Sequence, residues 1–122
     1  HVLRAAQEGI VFALNYGLDI MRQMGVRVQT VRAGKANMFL SPLFASAFAT
    51  VTGSTVELYN TDGSQGAGRG AGLGAGIYAS NAEAFAGLKK LDTIKPDATT
   101  TETYADAYAA WKHVLKASQG GA

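Results

Sequence analysis

The 122-residue sequence contains no cysteine and only two prolines. Without cysteine there is no disulfide framework and no thiolate chemistry, so disulfide-stapled domains and cysteine-based catalysis are excluded. No apolar run approaches the roughly 20 residues that a membrane-spanning helix requires, and no signal peptide is visible. These absences lead us to expect a cytoplasmic protein that does not insert into a membrane.

Charge is also scarce, at 16% of residues, and the formal net charge is only +2. The lysines and arginines are scattered, so no basic run favours a nucleic-acid partner. The acidic residues show no spacing that suits paired catalytic carboxylates or a metal site. Apolar residues make up 48% of the chain, which is enough for a modest core and indicates one globular domain or part of one.

The N-terminal segment predicts a long helix followed by a strand. Apolar residues recur on one helical face at Val11, Leu14, Leu18 and Met21, and Gly25 is expected to end the helix. Residues 26–31 (VRVQTV) alternate with a period of two and are rich in β-branched side chains, which predicts a strand.

A polar turn at residues 32–37 (RAGKAN) leads to a second helix and a second strand. The helix starts either at Asn37 or at Ser41-Pro42, both good capping signals, and Gly53 is expected to end it. Residues 54–59 (STVELY) predict the second strand. Loops that follow the carboxyl end of a strand bind ligands in α/β folds, so the turn is a candidate site. An ordinary turn with a helix cap is the alternative.

Residues 64–76 (SQGAGRGAGLGAG) carry glycine at every second position. No Gly-Lys-Ser/Thr follows, so this is not a Walker loop, and the loose dinucleotide fingerprint at residues 70–75 lacks its βαβ context. As a helix, the stretch would be almost bare of side chains and would allow close backbone approach to a sheet, a helix or a ligand. A flexible linker is the alternative, although Leu73, Ile77 and Tyr78 are unusual in a linker.

The last third of the sequence predicts two helices. Ser80-Asn81 is expected to cap a short helix through Leu91, and residues 92–98 are expected to form a linker. Thr99 and Glu102 form a potential capping box for the final helix. The apolar stripe of that helix is Tyr104, Tyr108, Trp111 and Leu115, with His113 on the surface. Two strands are few for this many helices, so we expect further strands elsewhere in the same protein.

Three segments in fixed order resemble the C-terminal part of the FGGY family of carbohydrate kinases, and within it the xylulose kinases. Residues 4–12 (RAAQEGIVF) are similar to the family's Arg-Ala-x-x-Glu-Gly-Ile-Ala-Phe helix. Residues 31–37 with the following helix are similar to its strand, glycine-rich turn and helix. Residues 65–72 (QGAGRGAG) are similar to Glu-x-x-Ala-x-Gly-Ala-Ala. The chain also opens without an initiator methionine, and we expect trimming or a piece of a longer protein.

The resemblance implies an α/β fold that forms the C-terminal half of a three-layer, actin-like and ribonuclease-H-like ATPase domain. Residues 1–122 would be the last portion of the nucleotide-binding domain, with the N-terminal sugar-binding domain outside this chain. The implied reaction is Mg²⁺-assisted transfer of the ATP γ-phosphate to D-xylulose, giving D-xylulose 5-phosphate and ADP. Glycerol, fuculose, rhamnulose and gluconate kinases share the pattern. A non-catalytic actin-like module for sugar sensing or assembly is the alternative from another class.

The resemblance also assigns residues. It implies that the backbone at Ala33 and Gly34 approaches the adenosine and that Asn37 lies beside the adenine. Lys35, the cation of the same turn, completes the expected nucleotide-binding residues Ala33, Gly34, Lys35 and Asn37. Alignment on Ser41-Pro42 instead would shift this register by about one helical turn. The family's catalytic aspartate lies upstream of the first segment, so we expect no catalytic and no metal-binding residue here. The chain alone is expected to be inactive, and an uncovered apolar face would favour association, for example as a homodimer.

Overall fold

The computed structural model describes residues 1–120, which form a small mixed sheet with flanking helices. In chain order the elements are α1 (Val2–Gln23), β1 (Thr30–Gly34), a 3-10 helix (Asn37–Leu40), α2 (Pro42–Thr52), β2 (Thr55–Tyr59), α3 (Gly63–Gly74), α4 (Asn81–Ala84), β3 (Lys90–Ile94) and α5 (Thr101–Gly120). The strand order is β1-β2-β3, with β1 parallel and β3 antiparallel to β2. Because β1 and β2 are parallel, their carboxyl ends lie at the same edge of the sheet.

The core lies between one face of the sheet and α2, with α1 and α5 packed on the outside of α2. Val56 and Leu58 of β2 are buried against Phe44 of α2. On the other side, Phe12 of α1 packs on the rings of α5, with its centroid 5.6 Å from that of Tyr108. The predicted aromatic stripe of α5 is therefore confirmed as packing.

A polar network ties the three core helices together. The Arg22 guanidinium donates to the Asp19 carboxylate at 2.8 Å, to the Asn15 side-chain oxygen at 3.0 Å and to the Thr52 carbonyl at 2.7 Å. The Tyr108 hydroxyl donates to the other Asp19 oxygen at 2.5 Å. Burial, together with this bond to a carboxylate, raises the pKa of Tyr108 well above its ordinary value.

The helix boundaries follow local signals in the sequence. Gly25 and Gly53 both adopt positive φ, at 91° and 67°, where they end α1 and α2 as predicted. The start of α2 is Ser41-Pro42, since the Ser41 hydroxyl accepts from the Phe44 N–H at 3.3 Å. The alternative start at Asn37 is wrong for α2, because Asn37 begins the separate 3-10 turn.

The first strand lies about four residues later than residues 26–31 predict. Strand pairing begins at Thr30, opposite Thr55, because β2 starts only after the Gly53 turn and offers no partner further back. Instead, the Val28 carbonyl accepts from the Ser54 hydroxyl at 3.3 Å. Arg32, Ala33 and Gly34 consequently belong to the strand rather than to the turn.

The prediction of a linker over residues 92–98 is wrong for its first half. The short helix α4 ends at Ala84 rather than Leu91, and Lys90–Ile94 forms the edge strand β3. The capping box of Thr99 and Glu102 does not form either. The Thr99 hydroxyl donates to the Asp97 carboxylate at 2.6 Å, and α5 starts two residues later.

The prediction of the apolar stripe of α1 is only partly confirmed. Val11 is fully buried and Leu18 packs on the core, but Leu14 and Met21 are 47% and 43% exposed. Phe12 and Asn15 are buried in their place because α5 covers this side of α1. Within residues 1–120, no helix combines the length and the apolar character needed to cross a bilayer.

The glycine-rich stretch is a helix, as its spacing predicts, rather than a linker. The Asp62 carboxylate caps it by accepting from the Gln65 N–H at 2.8 Å. Most of these glycines approach no other element closely among residues 1–120, because a Cβ added at Gly66, Gly68, Gly70 or Gly74 would meet open space. The exception is the buried Gly72, where a Cβ would meet the Tyr78 ring.

Candidate functional site

Two clefts lie side by side at the edge where β1 and β2 end. The first, here called the Asn37 cleft, has a volume of about 350 Å³ and is lined by Ile10 and Leu14 of α1, the turn after β1, and Asp62 and Gly63 at the start of α3. The second, here called the Tyr59 cleft, has a volume of about 380 Å³ and is lined by Arg32, Tyr59, Thr61, Phe85 and Leu88. The carboxyl end of parallel strands is where open α/β sheets bind ligands.

Gly34 lines both clefts and is the last residue of β1. A Cβ at this position would collide with the Thr61 carbonyl oxygen and lie 2.9 Å from the Thr61 carbonyl carbon and 3.2 Å from the Asp62 Cα. The close backbone approach expected at Gly34 therefore exists, and it is made to the chain's own β2–α3 loop. Ala33 lines the same two clefts.

Asn37 is the non-glycine residue with positive φ, at 54°, among residues 1–120. Asparagine is several-fold enriched among the non-glycine residues that adopt this left-handed conformation. Its side chain is exposed at the rim of the Asn37 cleft and forms no hydrogen bond within the described residues. Asn37 thus has one structural reason to be asparagine, its backbone, and one free amide that can donate and accept.

Lys35 is separated from the other three candidate residues. Its backbone N–H donates to the Tyr59 carbonyl at 2.8 Å, which extends the β1–β2 pairing by one residue. Lys35 itself lines a third cleft, near Phe39, Leu40 and Asp92. The structure therefore brings Ala33, Gly34 and Asn37 to one cleft and Lys35 to its neighbour.

Charged side chains pair across the sheet face below the Tyr59 cleft. Glu57 accepts from Arg32 at 3.1 Å, from the Tyr59 hydroxyl at 3.0 Å and from Lys90 at 3.4 Å. The Arg32 hydrogen bond is the largest of the effects that hold the pKa of Glu57 below its ordinary value. Arg32 is thereby engaged by a neighbouring carboxylate.

Sequence reasoning missed the part of the site that comes from the β2–α3 loop. Thr61, Asp62 and Gly63 lie against the turn after β1, although 24 or more residues separate them along the chain. The Asp62-Gly63 pair signals a helix start, but not which loop it faces. No group of three His, Cys, Asp or Glu side chains in residues 1–120 is arranged to hold a metal ion.

Comparison with known proteins finds similarity to sugar kinases in sequence and in fold. No family model matches it. The chain is 33% identical over 125 residues to the L-xylulose/3-keto-L-gulonate kinase of Escherichia coli (strain K12), a match that covers 98% of this chain and 24% of that protein. Its structure matches the crystal structure of the xylulose kinase from Rhodospirillum rubrum with a TM-score of 0.75 and 22% identity, over 99% of this chain and 25% of that one.

These matches confirm the resemblance to sugar kinases and are consistent with a C-terminal part of such a protein. The structural match shows the fold, a partial domain of the actin-like ATPase type. The chain spans about a quarter of the length of either protein it matches.

Proposed function

We propose that this chain is the nucleotide-binding part of an ATP-dependent sugar kinase. The observation that carries the proposal is the similarity to a sugar kinase over nearly the whole chain, at 33% identity. The position of the clefts supports it, since they open at the carboxyl ends of parallel strands.

In this proposal the Asn37 cleft receives the adenosine portion of ATP. Ile10 and Leu14 give the cleft apolar walls suited to a flat heterocycle, and the free amide of Asn37 at the rim can pair with its edge. Ala33 and Gly34 line the cleft with small residues that leave room for the nucleotide, and Lys35 supplies a cation in the neighbouring cleft. Mg²⁺ would neutralise phosphate charge, held by the phosphates and by groups outside the described residues.

The sugar that we propose is D-xylulose, with phosphorylation giving D-xylulose 5-phosphate. The Escherichia coli protein is named for L-xylulose and 3-keto-L-gulonate, so the class of substrate we favour is a small keto-sugar. Glycerol, fuculose, rhamnulose and gluconate are the competing acceptors. A coupled assay of ADP release with each sugar, on the protein that carries this chain together with its sugar-binding part, decides among them. This chain alone should release no ADP.

Two substitutions at Asn37 test its proposed contact with adenine. Asn37→Gly keeps the left-handed backbone and removes the amide, whereas Asn37→Ala removes the amide and strains the backbone. If the amide contacts adenine, both variants raise the KM for ATP about 10-fold, the loss of one or two hydrogen bonds, with the KM for sugar unchanged.

The alternative is that position 37 requires only a residue that tolerates the left-handed backbone, and it predicts different KM values for the two variants. Asn37→Gly would then keep the wild-type KM for ATP, and only Asn37→Ala would lower stability. Asn81→Ala, a change of an exposed amide on α4, is the matched control and should alter neither quantity.

A further inference from the structure

Arg69 is the cation of α3, a helix that otherwise carries almost no side chains able to reach its surroundings. It lies on the second turn, half-buried, and its Nη1 donates to the Thr61 hydroxyl at 2.7 Å. The side chain therefore reaches back along α3 to the β2–α3 loop that precedes the helix. Because the neighbouring turns of α3 consist mainly of glycine and alanine, Arg69 is the side chain of α3 that anchors this loop.

The β2–α3 loop, to which Arg69 is hydrogen-bonded, lies directly against Gly34. The Thr61 N–H donates to the Tyr59 carbonyl at 2.8 Å, which forms a tight turn directly after β2. The Thr61 carbonyl then lies against the Cα of Gly34, where a Cβ would not fit. Thr61 faces the Tyr59 cleft, and the next residue, Asp62, faces the Asn37 cleft.

We propose that Arg69 is a positioning residue that holds the β2–α3 loop against Gly34 and so fixes the wall between the two clefts. In the kinase proposed above, on which this inference rests for its effect on ATP, the wall sets the width of the adenosine site. Arg69 itself lines neither cleft. It acts through the Thr61 hydroxyl rather than by touching the nucleotide.

The first test measures the loop without nucleotide, by amide hydrogen exchange in a peptide covering residues 59–66 of the full-length protein. Arg69→Met removes the donor at similar length, and Thr61→Val removes the acceptor at similar shape. Both variants should exchange several-fold faster than wild type, and the double variant no faster than either, because they break the same bond. Gln65→Met, an exposed change one turn earlier on α3, is the control and should leave the exchange unchanged. Unchanged exchange in Arg69→Met overturns the proposal whether or not the protein binds ATP.

The second test measures nucleotide use. Arg69→Met and Thr61→Val should each raise the KM for ATP about 3- to 10-fold, with kcat and the KM for sugar little changed, and inhibition by adenosine should weaken in parallel. Arg69→Lys, which keeps one donor, should recover most of the loss. Arg69→Met could instead raise the KM for ATP without changing inhibition by adenosine, while Thr61→Val keeps the wild-type KM. Arg69 would then touch phosphate directly, and the proposal would be wrong. If wild type uses no ATP, the proposed function fails, while the exchange result still decides the role of Arg69.

Discussion

The two halves of this small fold differ in how tightly their side chains are packed. Between α1, α2 and α5, aromatic rings and a half-buried arginine network fill the space, with Phe44 only 1% exposed. Around α3 and α4, glycine and alanine leave the helix surface bare, and Phe85 is 43% exposed. The clefts lie where the two regions meet. The comparison teaches that α1 and α2 supply both packing and one wall of the Asn37 cleft, whereas the β2–α3 loop shapes the clefts with little packing of its own.

The largest difference is expected when a phenylalanine is replaced by alanine in each region. Phe44→Ala should lower the free energy of unfolding by about 3–5 kcal/mol, because it removes a buried ring and leaves a cavity. Phe85→Ala should lower it by about 1 kcal/mol or less, since much of that ring already contacts water. Urea denaturation of both variants measures the difference. Equal losses would show that the α3–α4 region is packed as tightly as the core.

A smaller loss of stability is expected when the tyrosine of the core network, Tyr108, is replaced by phenylalanine. Tyr108→Phe should cost about 1–2 kcal/mol near neutral pH, because the bond to the Asp19 carboxylate is lost while Arg22 still pairs with it. The raised pKa of Tyr108 means that the folded state favours the protonated phenol. This contribution is complete below pH 10, the ordinary pKa, and disappears as the pH rises above it.

The measurement is the stability difference between wild type and Tyr108→Phe from about pH 7 to about pH 12. It should stay constant to about pH 10 and then shrink. The groups that face the phenol are Asp19, Arg22, Tyr16 and Lys112, and the Lys112 Nζ lies 4.6 Å from the ring centroid. A difference that stays constant across the whole range would contradict the assignment.

The smallest expected changes are gains, and they occur in the bare region. Gly66→Ala and Gly70→Ala should each stabilise the protein by about 0.5–1 kcal/mol, because a Cβ there meets open space and alanine favours a helix. Gly72→Ala is the contrast, since its Cβ would lie 2.6 Å from the Tyr78 ring. Thermal unfolding compares the three. Destabilisation by Gly66→Ala in the full-length protein would mean that another part of it packs on this face.

Local signals made much of this fold predictable, and long-range pairing explains what was not. The Ser41-Pro42 start of α2 and the helical spacing of the glycines depend on neighbouring residues, so the sequence carries them. By contrast, β3 resembles a linker in sequence because it becomes a strand through pairing with β2, more than 30 residues earlier. The first strand begins late for the same reason, since it extends only where β2 can pair with it.

The candidate site divides in the same way. The turn after β1 stood out because glycine, lysine and asparagine follow a strand, and Ala33, Gly34 and Asn37 do share a cleft. The contribution of Thr61 and Asp62 could not be found from spacing, because only the parallel pairing of β1 and β2 brings the two loops together. Nucleotide binding by these residues stays a prediction.

The contact between Gly34 and Thr61 also has a meaning for the evolution of this fold. Any related protein that carries a side chain at the position of Gly34 must have a rearranged loop at the positions of Thr61 and Asp62, because the two backbones cannot otherwise coexist. Substitutions at these two places should therefore change together among relatives. The residue at position 34 then becomes a marker that sorts those relatives by the shape of their clefts from their sequences alone.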